Sequence, residues 1–259
     1  MDSKDYIKFL GTAGARYVVA KQLRYSAGTF IRMKEKNIIL DPGPGTLVRC
    51  AKSRPPIDVS TIDTIILTHA HIDHTNDVNI LIDAITEGGF KKRGILYAPR
   101  DCLTGQNAVV LKYLRDFLED IKILKENKKY SIGELQFYTS VKHKHPVETY
   151  GIIFNYNDKK ISFLVDTEYF PELIQSYKDS FILVINLLRY KPYKSGKVMH
   201  LSIDNAKELI RMIHPEKTIL THFGMSMLRA KPWEVANGLT EELKMEVIAA
   251  SDGMKIELS

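Results

Sequence analysis

The sequence of 259 residues is poor in cysteine, with only Cys50 and Cys102. The two do not form a Cys-x-x-Cys pair, which argues against a zinc site built from cysteines. Two cysteines allow one disulfide, but ordinary cysteine usage in cytosolic proteins favours two buried free thiols. We therefore look for metal ligands among other residue types.

Long apolar runs are also lacking. The longest, residues 181–188, is interrupted by Asn186 and is far too short to span a bilayer. The first residues carry charges where a secretory signal would need an apolar core. We expect a cytoplasmic protein that does not act at a membrane.

Low-complexity tracts, evident linkers and short repeats are absent as well. The hydrophobic fraction of 44% is sufficient for a sizeable core and excludes the disordered and collagen-like classes. A chain of this length is compatible with one large domain. We predict that residues 1–259 form a single domain.

The charge balance favours an anionic substrate. Lysine and arginine number 37 against 31 acidic residues, which gives a net charge of +6. A positive field raises the local concentration of a phosphate-bearing ligand. Since no arginine-rich run stands out, the charge alone leaves open whether that ligand is a small phosphodiester or RNA.

The hydrophobic pattern predicts two β-rich blocks with helices between and after them. Strands are predicted at residues 6–10, 30–33, 37–40, 62–67, 94–97, 135–138, 151–156, 161–165, 181–185, 218–220 and 254–258. Helices are predicted at 76–85, 109–118, 203–213 and 233–247. Such blocks indicate an α/β protein in which two packed sheets are flanked by helices.

The densest group of potential metal ligands follows the fourth predicted strand. It consists of His69, His71, Asp73 and His74, within six residues. Histidine nitrogens and carboxylate oxygens are the usual donors for zinc and also suit iron or manganese. His69 and His71 are two residues apart at a strand end and point the same way, while the following turn directs the other two to a second position. The spacing predicts two metals.

This pattern, His-x-His-x-Asp-His after an apolar strand, resembles the signature of the metallo-β-lactamase superfamily. The family's other motifs have counterparts in the family's order: Asp41 in Leu-Asp-Pro-Gly, His145 six residues before Gly151, Asp166 in Phe-Leu-Val-Asp-Thr, and His222 in Leu-Thr-His-Phe-Gly. The resemblance runs from about residue 6 to residue 224. It implies a four-layer αββα sandwich.

The resemblance also implies a ligand set. The first metal would be held by His69, His71, His145 and Asp166, and the second by Asp73, His74, His222 and Asp166. Two divalent ions are implied, with zinc the best match and manganese or iron also suited. A hydroxide between them would be the nucleophile, and Asp73 would orient it or accept its proton.

Several other residues near these motifs have less certain roles. His143 shares a strand face with His145, but the spacing to Gly151 favours His145 as the ligand. We expect His143 at the surface or behind a ligand, and His214 at a helix end without a role in binding. Residues that orient metal ligands are common, and the candidates are Asp41, Thr68 and Thr221.

His200 is the candidate that points to a reaction. It lies 22 residues before His222, at the start of a predicted helix, and resembles a histidine of the phosphodiesterase branch that is not a ligand. That histidine contacts the scissile phosphate and helps to protonate the leaving alkoxide, which leaves poorly without a general acid. We therefore predict two catalytic residues, Asp73 and His200.

The distance between two motifs indicates which branch of the superfamily the chain resembles. In the tRNA 3′-end endonucleases a long arm that grips tRNA usually lies between the motifs of His145 and Asp166. Only 20 residues intervene here, enough for two strands and a turn. The chain resembles instead the compact branch that includes the cyclic phosphodiesterase of phosphonate breakdown, although the extra cysteine-rich zinc site of that branch has no counterpart.

The sequence thus predicts a metal-dependent hydrolase, in first place a phosphodiesterase acting on a small or cyclic nucleotide-like phosphodiester. An RNA-processing nuclease and a thioesterase or lactonase of the same superfamily are the alternatives. A non-catalytic accessory protein fits least, because the whole ligand set is intact. Since relatives are often dimers, a homodimer is a further expectation.

Overall fold

The computed structural model describes residues 4–192 and 199–258. The first of two seven-stranded sheets has the order β14-β1-β2-β3-β4-β5-β6. Its strands are β1 (Tyr6–Phe9), β2 (Thr29–Met33), β3 (Lys36–Leu40), β4 (Thr64–Ile66), β5 (Ile95–Ala98), β6 (Asp120–Ile123) and β14 (Lys255–Glu257). The strands from β3 to β6 run parallel to one another. Their carboxyl ends therefore meet at one edge of the sheet.

The second sheet has the order β13-β12-β11-β10-β9-β8-β7. Its strands are β7 (Lys129–Ile132), β8 (Leu135–Lys142), β9 (Tyr150–Tyr156), β10 (Lys159–Leu164), β11 (Ser180–Asn186), β12 (Lys217–Thr221) and β13 (Glu246–Ala249). The strands from β7 to β10 form antiparallel hairpins, whereas β10 to β13 are parallel. Ligand sites in open sheets commonly lie at the carboxyl ends of parallel strands.

Helices lie between the strands along the chain. They are α1 (Ala15–Ala20), α2 (Thr46–Ala51), α3 (Ile72–Thr75), α4 (Val78–Ile85), α5 (Glu172–Ser176), α6 (Ile203–Ile213), α7 (Met225–Arg229) and α8 (Pro232–Leu243). Short 3₁₀ segments occur at Val59–Thr61, Arg100–Cys102 and Lys112–Phe117. Among the described residues, every helix is too short or too polar to cross a bilayer.

Three apolar clusters hold the layers together. Side chains such as Phe9 and Phe137 from the facing sides of the two sheets form the central cluster. Leu81 of α4 packs on the outer face of the first sheet. Leu209 of α6 and Leu239 of α8 pack on the outer face of the second sheet. The predicted four-layer αββα sandwich is confirmed.

The predicted amphipathic helix at residues 109–118 is wrong. The segment holds only a 3₁₀ helix at Lys112–Phe117. The side chain of Asn79 donates to the carbonyl of Val109 and accepts from the amide of Leu111, both at 2.8 Å. The first bond occupies the Val109 carbonyl, which a helix starting at this residue would use, and Leu111 has an extended backbone with ψ of 135°.

The predicted helix at residues 233–247 ends earlier than expected. Helix α8 stops at Leu243, and Lys244 adopts a left-handed conformation with φ of 55°. Val247 is then a buried residue of β13, paired with Thr218 of β12. Pairing with a neighbouring strand thus overrides the helical pattern of these residues.

Both cysteines are free and buried. Burial raises the pKa of the Cys50 thiol to about 12 and raises that of Cys102 as well, so both stay protonated. The prediction of two free thiols is confirmed.

Candidate metal centre

The predicted ligands gather at the edge where parallel strands of both sheets end. His69 follows β4, and Asp166 and His222 follow β10 and β12 of the other sheet. His145 lies just beyond β8. The sandwich therefore brings residues that are far apart in sequence to one place between the two sheets.

The first group consists of His69, His71, His145 and Asp166, whose ligand atoms all lie within 4.8 Å of one another. Atom Oδ2 of Asp166 is 3.8 Å from Nε2 of His69 and 3.9 Å from Nε2 of His145. Atom Nδ1 of His71 is 2.9 Å from Nε2 of His145. Three imidazoles and one carboxylate thus converge on one point, as in the set predicted for the first metal.

The second group consists of Asp73, His74 and His222, also within 4.8 Å of one another. Atom Oδ2 of Asp73 is 3.8 Å from Nε2 of each histidine. Asp166 reaches this group too, since its Oδ2 is 3.5 Å from Nε2 of His74 and its Oδ1 is 3.4 Å from Nε2 of His222. The structure thus brings all seven predicted ligand residues together, with Asp166 between the two groups.

Asp41 orients ligands of both groups. One of its oxygens, Oδ2, accepts from Nδ1 of His74 at 3.0 Å and from the hydroxyl of Thr68 at 2.7 Å. Because that hydroxyl proton is already donated, Thr68 Oγ1 accepts from Nδ1 of His69 at 2.9 Å. Both imidazoles therefore carry a proton on Nδ1 and point Nε2 to the centre.

The donor atoms fit a divalent metal pair. The Nε2 atoms of His69, His74 and His222 are buried and have no hydrogen-bond partner among the described residues. A buried nitrogen without a partner costs free energy, and metal coordination removes that cost. Imidazole nitrogens joined by carboxylates are a donor set typical of zinc and of similar divalent ions.

Two residues of the site have strained backbones. Asp41 and His222 have φ of 50° and 60°, a region that residues other than glycine rarely adopt. Nearby glycines allow the loops to approach: a Cβ at Gly43 would lie 2.1 Å from the carbonyl oxygen of Asp73, and one at Gly14 would lie 2.2 Å from that of His222. The tight packing of these loops holds both strained residues in place.

The histidines of the first group are held neutral. Burial lowers the pKa of His69 well below its ordinary value and lowers that of His71. Burial likewise lowers the pKa of His145 to about 4. Neutral imidazoles have the free lone pair that metal coordination requires.

His74 of the second group has the opposite tendency. Burial alone would lower its pKa, but the carboxylates of Asp73 and Asp166 and the hydrogen bond to Asp41 raise that pKa well above the ordinary value. The two carboxylates are ionised in turn. Although burial disfavours the charge of each, the surrounding imidazoles hold the pKa of Asp166 well below its usual range and lower that of Asp73.

His200 lies beside both groups. Its Nδ1 is 3.6 Å from Oδ2 of Asp166, and 14% of its side chain is exposed. With Asp166 and His222 it forms a further set of potential ligands within 4.8 Å. It also lines a cavity of about 800 Å³ together with His71 and Asp73. The imidazole therefore stands between the ligand cluster and the space open to a substrate.

One residue that holds Asp166 was not among the predicted site residues. The side-chain amide of Asn186 donates to Oδ1 of Asp166 at 2.8 Å. The only signal for it in the sequence is a polar residue that interrupts an apolar run. A polar residue at the carboxyl end of a buried parallel strand is a signal for a residue of the site.

The remaining predictions have mixed outcomes. His143 is 2% exposed, so its placement at the surface is wrong and its placement behind a ligand is right. His214 caps the end of α6 with φ of 57°, as expected. Thr68 contacts Asp41 and His69 as described, whereas Thr221 accepts a backbone bond from Leu187 at 2.8 Å.

Sequence comparison gives the family. The Beta-lactamase superfamily domain matches residues 36–223. An uncharacterised protein of Methanocaldococcus jannaschii is 31% identical over 264 residues, covering 97% of this chain and 94% of that protein. Ribonuclease Z of Borrelia garinii subsp. bavariensis is 23% identical over 314 residues, covering 97% of this chain and 96% of that enzyme.

Solved structures share the fold. The metallo-beta-lactamase fold protein YhfI from Bacillus subtilis superposes with a TM-score of 0.80 at 18% identity, covering 99% of this chain and 100% of that one. A diphosphatase of the PhnP family superposes with a TM-score of 0.73 at 20% identity, covering 99% and 98%. With its αββα sandwich and its cluster of histidines and aspartates, the chain belongs to the beta-lactamase superfamily and has the metallo-hydrolase fold.

Proposed function

We propose that this protein is a metal-dependent phosphodiesterase that hydrolyses a small or cyclic nucleotide-like phosphodiester, with His200 as the general acid. The observation that carries the proposal is the position of His200. Its ring faces the cavity beside the ligand groups, 3.6 Å from Asp166, while neither predicted ligand group requires it as a member. Two of the similar proteins are named for the cleavage of phosphate linkages, a ribonuclease and a diphosphatase.

Seven residues would hold the metals, with zinc as the proposed ion. They are His69, His71, Asp73, His74, His145, Asp166 and His222. A bound divalent pair would lower the pKa of water and neutralise charge that develops on the phosphate. The ionised carboxylate of Asp73 lines the cavity and is placed to orient the attacking water or to accept its proton.

His200 would donate a proton to the leaving oxygen. Its pKa is lowered by burial, although the carboxylate of Asp166 opposes that effect. A general acid acts only in its protonated form. The contribution of His200 to turnover therefore falls as the pH rises through its pKa, and this dependence should disappear when His200 is replaced.

A second candidate function is RNA processing. It is favoured by the similarity to ribonuclease Z over nearly the whole chain and by the net charge of +6. Against it stands the connection between His145 and Asp166, which is filled by the β9–β10 hairpin. That hairpin leaves no room for an RNA-gripping arm at this point, so we rank small phosphodiesters first. RNA binding that weakens steeply with salt would reverse the ranking.

The test combines metal analysis with a screen of phosphodiesters, thioesters and lactones. We expect the purified protein to hold two divalent ions and to prefer phosphodiesters. The His200→Ala variant should lose about 10²–10⁴-fold in kcat for the phosphodiester and keep both ions. His214→Asn, which replaces a histidine outside the cluster by a residue that tolerates its left-handed backbone, is the matched control.

Each other outcome has a definite meaning. Full activity of His200→Ala on a phosphodiester contradicts the proposed role. Loss of an ion in that variant identifies His200 as a ligand within the set that it forms with Asp166 and His222. A preference for thioesters or lactones, with His200 dispensable, replaces the proposal by that hydrolase class.

Three broader predictions accompany this function. We infer that residues 1–259 form one domain, since apolar clusters join both sheets and their helices; residues 1–3, 193–198 and 259 lie outside the described part of the chain. A homodimer and a cytoplasmic location also stay predictions. Light scattering of the purified protein tests the first of these two.

A further inference from the structure

His143 and Tyr177 form a buried polar pair that the proposed mechanism does not use. The two side chains are 2% and 0% exposed. Nε2 of His143 is 2.8 Å from the hydroxyl of Tyr177, and its Nδ1 is 3.2 Å from the backbone carbonyl oxygen of Asp166. The chain of contacts thus runs from Tyr177 through His143 to the residue shared by both ligand groups.

The directions of these hydrogen bonds follow from their partners. A carbonyl oxygen can only accept, so Nδ1 of His143 carries the proton and donates it to Asp166. Nε2 then has a lone pair and accepts from the hydroxyl of Tyr177. Both ring nitrogens thus have a partner in this single tautomer. The pair therefore has one fixed arrangement.

The absence of a side chain at Gly151 leaves room for this arrangement. A Cβ at position 151 would lie 1.7 Å from the Tyr177 hydroxyl, so Gly151 is required for the tyrosine to reach His143. A buried imidazole and a buried hydroxyl are costly to desolvate, whereas an apolar pair of similar size would not be. Packing alone does not account for two polar groups at this depth.

Asp166 is held at both of its ends. Its backbone carbonyl accepts from His143, and its carboxylate accepts from the amide of Asn186 at 2.8 Å. His143 also lies two residues before His145, so its bond to Asp166 ties the loop of one ligand to another ligand. A carboxylate that serves two groups must be aimed closely, because its two oxygens face different histidines.

We propose that Tyr177 and His143 are positioning residues that fix the main chain of Asp166 and thereby the aim of its shared carboxylate. The inference rests on the proposed role of Asp166 as a metal ligand. Residues that support ligands from behind typically change metal affinity by about 10–100-fold when they are replaced. We expect that effect here, without loss of the fold.

The experiment measures metal affinity directly, by competition of the protein with a zinc chelator. Tyr177→Phe removes only the hydroxyl that donates to Nε2 of His143, and it should weaken zinc binding by about 10–100-fold. The matched control is Tyr97→Phe. Tyr97 is equally buried, and its hydroxyl donates to the Ser131 carbonyl at 2.6 Å, away from the ligand groups. The control should lose thermal stability to a similar extent and keep its zinc affinity.

A second pair of variants separates positioning from packing. The amide of glutamine can donate to Asp166 and accept from Tyr177, so His143→Gln should retain most of the zinc affinity. His143→Leu fills the space without donating, and it should lose affinity as Tyr177→Phe does. Zinc affinities of Tyr177→Phe and His143→Leu within twofold of the wild type would overturn the inference.

Its failure is distinguishable from that of the proposed function. If the unaltered protein binds no zinc, both proposals are wrong. If the unaltered protein binds two ions and the Tyr177 and His143 variants have its zinc affinity, the positioning role alone is wrong. Should His143→Leu fail to fold, the comparison of Tyr177→Phe with Tyr97→Phe decides.

Discussion

The two ligand groups differ in the protons that they hold and in what supports them. In the first group burial keeps His69, His71 and His145 neutral, because the shared carboxylate of Asp166 does not outweigh the loss of solvation. In the second group two carboxylates face His74 and a third, Asp41, lies behind it, and together they raise its pKa. Similar donors thus have opposite protonation in neighbouring positions.

This contrast predicts that metal binding at the two groups depends differently on pH. A metal that enters the first group meets histidines that are already neutral, so their net charge does not have to change. A metal that enters the second group must displace the proton of His74. We therefore expect metal binding at the first group to depend less on pH than metal binding at the second group.

Replacing Asp166 should abolish the contrast, because the residue belongs to both groups. Asp166→Asn keeps the shape of the side chain but removes its charge. We expect the loss of at least one bound ion and a fall in activity greater than about 100-fold, beyond the usual effect of a supporting residue. Metal analysis and steady-state kinetics measure both, with the exposed Asp179→Asn as the control. Two ions retained at full affinity would contradict a shared ligand.

Asp41 and Thr68 offer a more selective test. Asp41→Asn should weaken the second group most, since Asp41 accepts from His74 directly. Thr68→Val should instead weaken the first group, since it removes the hydroxyl that accepts from His69. Each effect should be about 10–100-fold in metal affinity. Stepwise calorimetric titration resolves the two binding events, and equal losses in both variants would show that the groups are not supported separately.

The smallest effect concerns protonation and needs no change in the chain. In the metal-free protein at pH 7, NMR of the imidazole nitrogens should show His74 protonated and His69, His71 and His145 neutral. Because the pKa of His74 is raised, metal competes with its proton below that pKa, and affinity at the second group falls as the pH is lowered through it. A neutral His74 at pH 7 would contradict the predicted difference in pH dependence between the two groups.

Most of the strands could be predicted from the sequence, because the pattern of apolar residues that indicates a strand is local. The runs 30–33 and 37–40 alternate or continue in apolar residues around a turn, and they form the β2–β3 hairpin as predicted. The segment at 109–118 was misread, since its helical periodicity is opposed by the side chain of Asn79, about 30 residues earlier in the chain. Hydrogen bonds of this kind, between distant segments, do not appear in the periodicity of the sequence.

The same division applies to the site. The sequence by itself determined which residues are candidate ligands, because each motif carries its own donor atoms at a strand end and in a fixed order. Only the tertiary structure decided that Asn186 and His143 hold Asp166, and that His74 differs from its neighbours in protonation. These properties depend on burial and on the distances between separate loops, which are set when the two sheets pack together.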